Sequence, residues 1–320
     1  MARSLAVAVV IVTFNSADVL PPLLDSLGVG LAGIAQSEVI VVDNDSVDGS
    51  ADLAEMHPMV TRVIRTGRNA GYAAAINIAA DTIPIETAML ILNPDTRLTQ
   101  GSIRILADRA RDPSVGVVVP LIHNEDGTIA TSLRREPSLT TTWPHVLLGP
   151  NLAARLGVGE MIADPRVYAH RHAIDWATGA ILLVTPRARQ RVGRWDESFF
   201  LYSEEVDFQR RVRDAGLTVV YEPAAQVMHI GGVYMRSPAL AALMASSQIR
   251  YFQRHHGPVS TLFYRLALIG YGLSRCWRSS AHRAALRAAL SPLRSPDHYV
   301  PAAARTAPSA LNGETPRWIS

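Results

Sequence analysis

The chain has 320 residues, a formal net charge of +3 and 31 basic side chains, all of them arginine. The absence of lysine excludes Schiff-base, P-loop-lysine and lysine general-base chemistry, and the lone Cys276 excludes an intrachain disulfide or a multi-cysteine metal site. Any bound phosphate must therefore be held by arginine forks, backbone N–H groups or a metal ion.

The front half alternates strand and helix signals. Leu5 to Thr13 is a β-branched apolar run that reads as a strand buried on both faces. No small-residue cleavage site follows it, and no run reaches the roughly 20 apolar residues of a membrane span, so the expected compartment is the cytoplasm. A helix is expected after Ser16, with Pro21 and Pro22 in its first turns. Strands follow at Glu38 to Asp43, Val60 to Arg65, Thr87 to Leu92 and Val115 to Val119. Helices are expected at Asp48 to Met56, Ala70 to Ala80 and Gly101 to Arg111. This rhythm predicts an α/β fold, a Rossmann-like and mostly parallel sheet with helices on both faces. Ligands of such sheets lie beyond the carboxyl ends of the strands. Four polar clusters should share that rim: Thr13-Phe14-Asn15, Asp43-Asn44-Asp45-Ser46, Gly67-Arg68-Asn69-Ala70-Gly71 and Asn93-Pro94-Asp95. The first strand is not followed by G-x-G-x-x-G, which argues against a nicotinamide enzyme. With no glycine cradle and no lysine, a divalent cation on Asp95 is the expected way to hold a diphosphate, and oxygen ligands suit Mg²⁺ or Mn²⁺.

The second half carries the acid–base candidates. A strand signal spans Asp175 to Thr185, preceded by Trp176 and Gly179, and a short helix follows near Arg189 to Gly193. Between Trp195 and Phe208, carboxylates (Asp196, Glu197, Glu204, Glu205, Asp207) interleave with aromatic residues. One reading makes Ser203 a helix N-cap followed by first-turn acids. The other makes Glu205 a general base whose pKa is raised by the apolar wall of Phe199, Phe200 and Tyr202. After a strand at Leu217 to Tyr221, His229 precedes two glycines and is a candidate ligand.

Charge divides the chain. Residues 1–222 carry 20 arginines against 26 acids, whereas residues 223–296 carry nine arginines and no acid. The basic stretch includes the apolar and aromatic run Leu262 to Leu273, interrupted by Arg265. It can lie on an anionic membrane or form a helical hairpin that packs on the body. The Pro-, Ala- and Ser-rich end reads as a disordered tail.

These motifs together resemble the family 2 glycosyltransferases of GT-A fold. The matching segments are Val10-Ile11-Val12-Thr13-Phe14-Asn15, Val41-Val42-Asp43-Asn44-Asp45-Ser46-Val47-Asp48-Gly49-Ser50, Asn69-Ala70-Gly71-Tyr72 through Asn77, Asn93-Pro94-Asp95, and Trp195-Asp196-Glu197 through Asp207. Arg134 to Leu139 and His145 to Pro150 are similar to segments of rhamnosyltransferases that act on polyprenyl-diphosphate-linked N-acetylglucosamine. The resemblance implies a catalytic domain at 1–235, a basic amphipathic helical region at 236–294 and a tail at 295–320. It implies nucleotide and donor contacts from Thr13, Asn15, Asp43, Asn44, Asn69, Gly71, Asn77 and Asn93, and a divalent cation on Asp95 and His229. Glu205 would be the base, with Glu204 or Asp196 as alternatives, and Trp176, Gly179 and Trp195 would shape the acceptor and sugar pocket. The implied activity is inverting transfer of L-rhamnose from dTDP-rhamnose to a lipid-linked or other glycan acceptor, at the cytoplasmic face of the membrane and with no nucleic acid partner. Transfer of galactofuranose, glucose or mannose, or non-catalytic sugar-nucleotide binding, stays open as an alternative. Two departures are visible: Glu204-Glu205 stands where the family has Glu-Asp, and Asn93 leaves Asp95 as the only charge of the metal motif.

Overall fold

The computed structural model describes residues 5–231 and 237–293. The expected domain boundary at 235/236 and the tail from 295 lie outside the described residues. In chain order the elements are β1 (Val7–Thr13), α1 (Leu20–Gly30), β2 (Ser37–Asp43), α2 (Ser50–Met56), β3 (Arg62–Arg65), α3 (Tyr72–Ala80), β4 (Ala88–Leu92), β5 (Thr96–Leu98), α4 (Ser102–Arg109) and β6 (Val115–His123). They continue with β7 (Leu133–Arg134), α5 (Leu139–Leu148), α6 (Pro150–Arg155), α7 (Pro165–Tyr168), β8 (His172–Ile174), β9 (Trp176–Ala177), β10 (Ile181–Val184), α8 (Pro186–Val192), α9 (Glu204–Asp214) and β11 (Thr218–His229). Three helices close the described chain: α10 (Pro238–His255), α11 (Gly257–Leu273) and α12 (Ser280–Leu290).

The main sheet runs β3-β2-β1-β4-β10-β6-β11-β5, with β8 also pairing β11. β3, β2, β1 and β4 are parallel, as are β6 and β11. β10 enters antiparallel between β4 and β6, and β5 lies antiparallel along β11. Every residue of β1 is buried, and its side chains alternate between two cores. Val7, Val9 and Ile11 pack with Leu20, Leu24 and Ile103 from α1 and α4, whereas Ala8, Val10 and Val12 pack with Ala75, Ile76 and Phe208 from α3 and α9. This is the period-two burial of a strand covered on both faces. Register places Thr13 beside Asp43 and Ile11 beside Leu92, so the polar clusters do leave the strands at one rim.

The structure corrects two local expectations. The last strand continues to the residue that was expected to follow it, so His229 sits at the end of β11, paired with Thr96 of β5. Ser203 does precede α9, but its side chain makes no cap hydrogen bond and its φ is 69°.

The C-terminal helices share a third core with the sheet domain: Trp176, Phe199 and Val206 pack with Ile249, Tyr251, Phe252 and Tyr264. Carboxylates of the body meet basic side chains both of α9 and of α10. Asp207 is fully buried and takes Arg211, Arg254 and His255 at 2.8, 3.3 and 2.8 Å. Asp196 takes Arg254 at 2.5 Å. Glu136 takes Arg210 at 2.7 Å and also meets Arg213 and the Tyr251 hydroxyl. The helical hairpin thus packs on the body, and part of its positive charge is neutralised there.

Candidate active site

A cavity of about 850 Å³ opens beside the rim, between the sheet and the C-terminal helices. Its lining brings together Asn93, Trp176, Gly179, Glu204, Glu205 and His229 among the residues singled out from sequence. The loop before α9 aims the two glutamates into it. Tyr202 and Ser203 both adopt left-handed backbone, φ 68° and 69°, a conformation that residues with a side chain seldom take twice in succession. A close backbone approach supports this loop. Gly71 has φ 91°, and a Cβ there would lie 2.5 Å from the Phe200 carbonyl oxygen, which accepts the Tyr72 N–H at 2.8 Å. Only glycine fits that approach.

Burial pushes both glutamate carboxyls above the usual range. The Glu205 charge adds to the effect at Glu204. Backbone hydrogen bonds at the start of α9, together with the positive charge of Arg134, pull Glu205 back. Of the two, Glu204 is buried and Glu205 is partly exposed to the cavity. A Cβ added at Gly179 would stand 3.4 Å from the Glu205 Cβ, so this position packs directly against the acid. Tyr72 donates its hydroxyl to Asn93 Oδ1 at 2.8 Å, and burial beside Glu204, Glu205 and Asp95 keeps it protonated.

His229 lines the cavity with Asp95 behind it. His229 Nε2 is 3.1 Å from Asp95 Oδ1, and Gly231 N–H donates to Asp95 Oδ2 at 3.0 Å. Burial raises the Asp95 carboxyl, but the bond to His229, that ring's charge and the Gly231 amide outweigh it and hold the group below the usual range. Among the described residues no three His, Cys, Asp or Glu side chains converge to form a metal site. A cation held here would take an Asp95 oxygen and, once the ring is neutral and freed from that carboxylate, a His229 nitrogen, and would bring its other ligands with it.

Apart from Asn93, the nucleotide candidates lie on the neighbouring rim and not in the cavity wall. Thr13 is buried and donates to Asp43 Oδ1 at 2.8 Å; Asp43 also accepts from Ser46 N and Oγ. Asn15 Oδ1 accepts the Val47 N–H at 2.9 Å, which folds the 43–48 loop onto the end of β1. Asn44 Nδ2 donates to Gly71 O, and Asn69 Oδ1 accepts Gly71 N–H, so these asparagines set the glycine turn that supports Phe200.

Three candidates have different tasks from those expected. Asn77 is buried, donates to Trp195 O at 2.9 Å and accepts Trp195 N–H at 2.9 Å, so it fastens α3 to the 195 loop and cannot face a ligand. Trp195 stacks on Phe208 at 4.3 Å inside the core and not in the acceptor pocket. Asp196 accepts the Ser198 N–H and binds Arg254, which removes it from the choice of base. The sequence reading gave no role to Tyr72, Arg134 or Glu160. Burial pushes the Glu160 carboxyl up to about 7, against the pull of Arg134. Arg134 and Tyr72 stand inside matched segments. Glu160 had no sequence signal, because it enters the wall from an irregular loop.

Residues 8–163 match the family described as glycosyl transferase family 2. The chain is 34% identical over 263 residues to N-acetylglucosaminyl-diphospho-decaprenol L-rhamnosyltransferase of Mycobacterium tuberculosis, covering 78% of this chain and 85% of that protein. In structure it is similar to the mannosyltransferase PcManGT from Pyrobaculum calidifontis in complex with GDP-Man and Mn²⁺, with TM-score 0.53, 16% identity, and coverage of 90% of this chain and 81% of that one. It is also similar to GalNAc-T7 with UDP, GalNAc and Mn²⁺, with TM-score 0.59, 14% identity, and coverage of 84% and 52%. At these identities the two structures speak for the fold alone.

Proposed function

The chain belongs to glycosyl transferase family 2, and on that premise we propose that it is an inverting rhamnosyltransferase acting on a lipid-linked acceptor. The fold is the GT-A arrangement and the chain is a glycosyltransferase. The observation that carries the mechanistic reading is that one cavity is lined by a glutamate pair whose carboxyls are raised by burial and by His229, which is bonded to Asp95. Rhamnose and the polyprenyl-diphosphate acceptor are suggested by the relative from M. tuberculosis.

In this mechanism the diphosphate of the donor lies against Asp95 and His229, with the nucleoside over the rim of Asn15, Asp43 and Asn44. A divalent cation, when bound there, supplies positive charge to the two phosphates. Glu205 receives the proton of the acceptor hydroxyl as that oxygen attacks the anomeric carbon. The bond from that carbon to the diphosphate oxygen breaks, and the nucleoside diphosphate departs with its electron pair. One displacement inverts the anomeric centre and needs no covalent enzyme intermediate. Burial raises both carboxyls and their charges repel, so the pair carries one proton more readily than none, which limits the negative charge beside the acceptor. Tyr72 holds Asn93 between the glutamates and the Asp95 turn. Trp176 forms an apolar wall and donates its indole N–H to Arg135 O at 2.9 Å.

The experiment is mass spectrometry of products formed from dTDP-rhamnose and a polyprenyl-diphosphate-linked N-acetylglucosamine. A deoxyhexose mass increment supports the proposal. A hexose increment from the galactofuranose, glucose or mannose donors of the same panel replaces the sugar while keeping the chemistry. Donor binding without turnover of any donor would replace the enzyme with a sugar-nucleotide-binding protein.

A further inference from the structure

Two stretches far apart in sequence contain no carboxylate: residues 137–159 and residues 223–296. The fold brings them together. α5 packs against α11, with the His145 and Tyr271 rings 5.4 Å apart and the Arg275 guanidinium 3.9 Å from the centre of Tyr271. α11 buries Tyr264 and Ala267 on its inner side. On its outer side Val259, Phe263, Leu266, Leu273 and, just past the helix, Trp277 are exposed. Their spacing places all five on one helical stripe. The adjoining α5 and α6 expose Leu147, Leu148 and Leu152. Arg155 of α6, Arg278 of the turn after α11, and Arg283 and Arg287 of α12 are exposed. A continuous apolar stripe with an arginine rim and no acid marks a surface that is covered in use.

We propose that α5, α6 and α11 form one surface that seats the protein on an anionic lipid bilayer. The leucines and Phe263 enter the acyl boundary, Trp277 lies at the interface, and the arginines meet headgroup phosphates. Among the described residues no helix is long and apolar enough to cross a membrane, so the contact is made by one face only. Charge favours lipid over a second copy of this chain. Two copies joined through this face would bring arginine against arginine with no acid between them. The inference rests on the proposed function only for what the surface serves. His145, Pro150 and Tyr264 of the same helical layer line the reaction cavity, so a lipid-borne acceptor is delivered beside Glu205.

Cosedimentation of the full chain with vesicles of phosphatidylglycerol and phosphatidylcholine, against phosphatidylcholine alone, tests the surface. The expected result is binding to the anionic vesicles that weakens at high salt. It should fall roughly tenfold or more in a Phe263→Asp, Leu266→Asp protein. Leu147→Asp should weaken it from the other element, and circular dichroism should match the unaltered protein because all three positions are exposed. Absence of binding to anionic vesicles, or variants that bind equally well, overturns the proposal. So does a lipid-free dimer that Phe263→Asp dissociates. Transfer to a short-chain, water-soluble acceptor is measured in parallel. Transfer without vesicle binding strikes only the surface, and vesicle binding without transfer strikes only the proposed function.

Discussion

His255 Nε2 lies 2.8 Å from Asp207 Oδ1, and through this contact the last acid of the Trp195–Asp207 segment holds the first C-terminal helix. Hydrogen bonds and charge from His255, Arg211 and Arg254 overcome the burial of Asp207 and keep its carboxyl below the usual range. A carboxyl lowered in the folded state stabilises above its unfolded pKa and loses that contribution as pH falls through the folded value. Asp207→Ala should cost about 1–3 kcal/mol near neutral pH, because it leaves the half-buried Arg211 and His255 without this partner while Arg254 keeps Asp196. Urea unfolding at pH 7 and pH 3 checks this: the variant's deficit should shrink at the lower pH. Proteolysis should also release the segment from 237 onward sooner.

Glu205→Gln should lower kcat by about 10²–10⁴ while leaving donor binding near normal, as expected for removal of a general base. Donor titration by calorimetry alongside initial rates separates the two effects. Near-normal turnover would defeat the assignment.

Arg134 lowers the Glu205 carboxyl, so its removal has a signed effect on pH dependence. In Arg134→Gln the acid limb of kcat/KM should move to higher pH, because Glu205 then ionises later. A limb that stays in place would show that Arg134 does not act on the base.

His229→Ala and Asp95→Ala should each reduce Mn²⁺-dependent binding of the nucleoside diphosphate, and Asp95→Ala should do so more strongly because it removes the only charge of that motif. The measurement is calorimetric titration with and without a chelator. Binding that ignores the chelator in the unaltered protein would remove the cation from the mechanism.

Glu160 is raised to about 7 against a model-peptide value of 4.5. Between those values the unfolded chain gives up its proton first, so this group destabilises the fold progressively as pH rises. Glu160→Gln should therefore stabilise at pH 8 by about 1–3 kcal/mol and have little effect at pH 4. Melting temperatures at the two pH values decide it.

The parallel half of the fold was legible because β1, β2 and β4 are buried on both faces and thus appear as unbroken apolar runs. The rim clusters followed from the direction of those strands. The antiparallel insertion of β10 was not legible, because a buried strand carries the same apolar signature in either direction. Glu204, Glu205 and His229 were found from their local company of aromatics and glycines. Asn77 and Trp195 were misplaced for a physical reason: a buried asparagine that staples two segments and an asparagine that binds a ligand look alike in sequence. The docking role of Glu136 depends on Arg210, Arg213 and Tyr251, partners more than 70 residues away that only the fold reveals.

Tyr202 and Ser203 hold left-handed backbone immediately before the catalytic pair, at a cost of order 1–3 kcal/mol each. Glycine at either position would relieve that strain. A search for heat-resistant variants, scoring each site independently, would be drawn to these two positions. It would then gain thermal tolerance by loosening the platform that points Glu205 at its substrate, so such a search should leave residues 202 and 203 untouched.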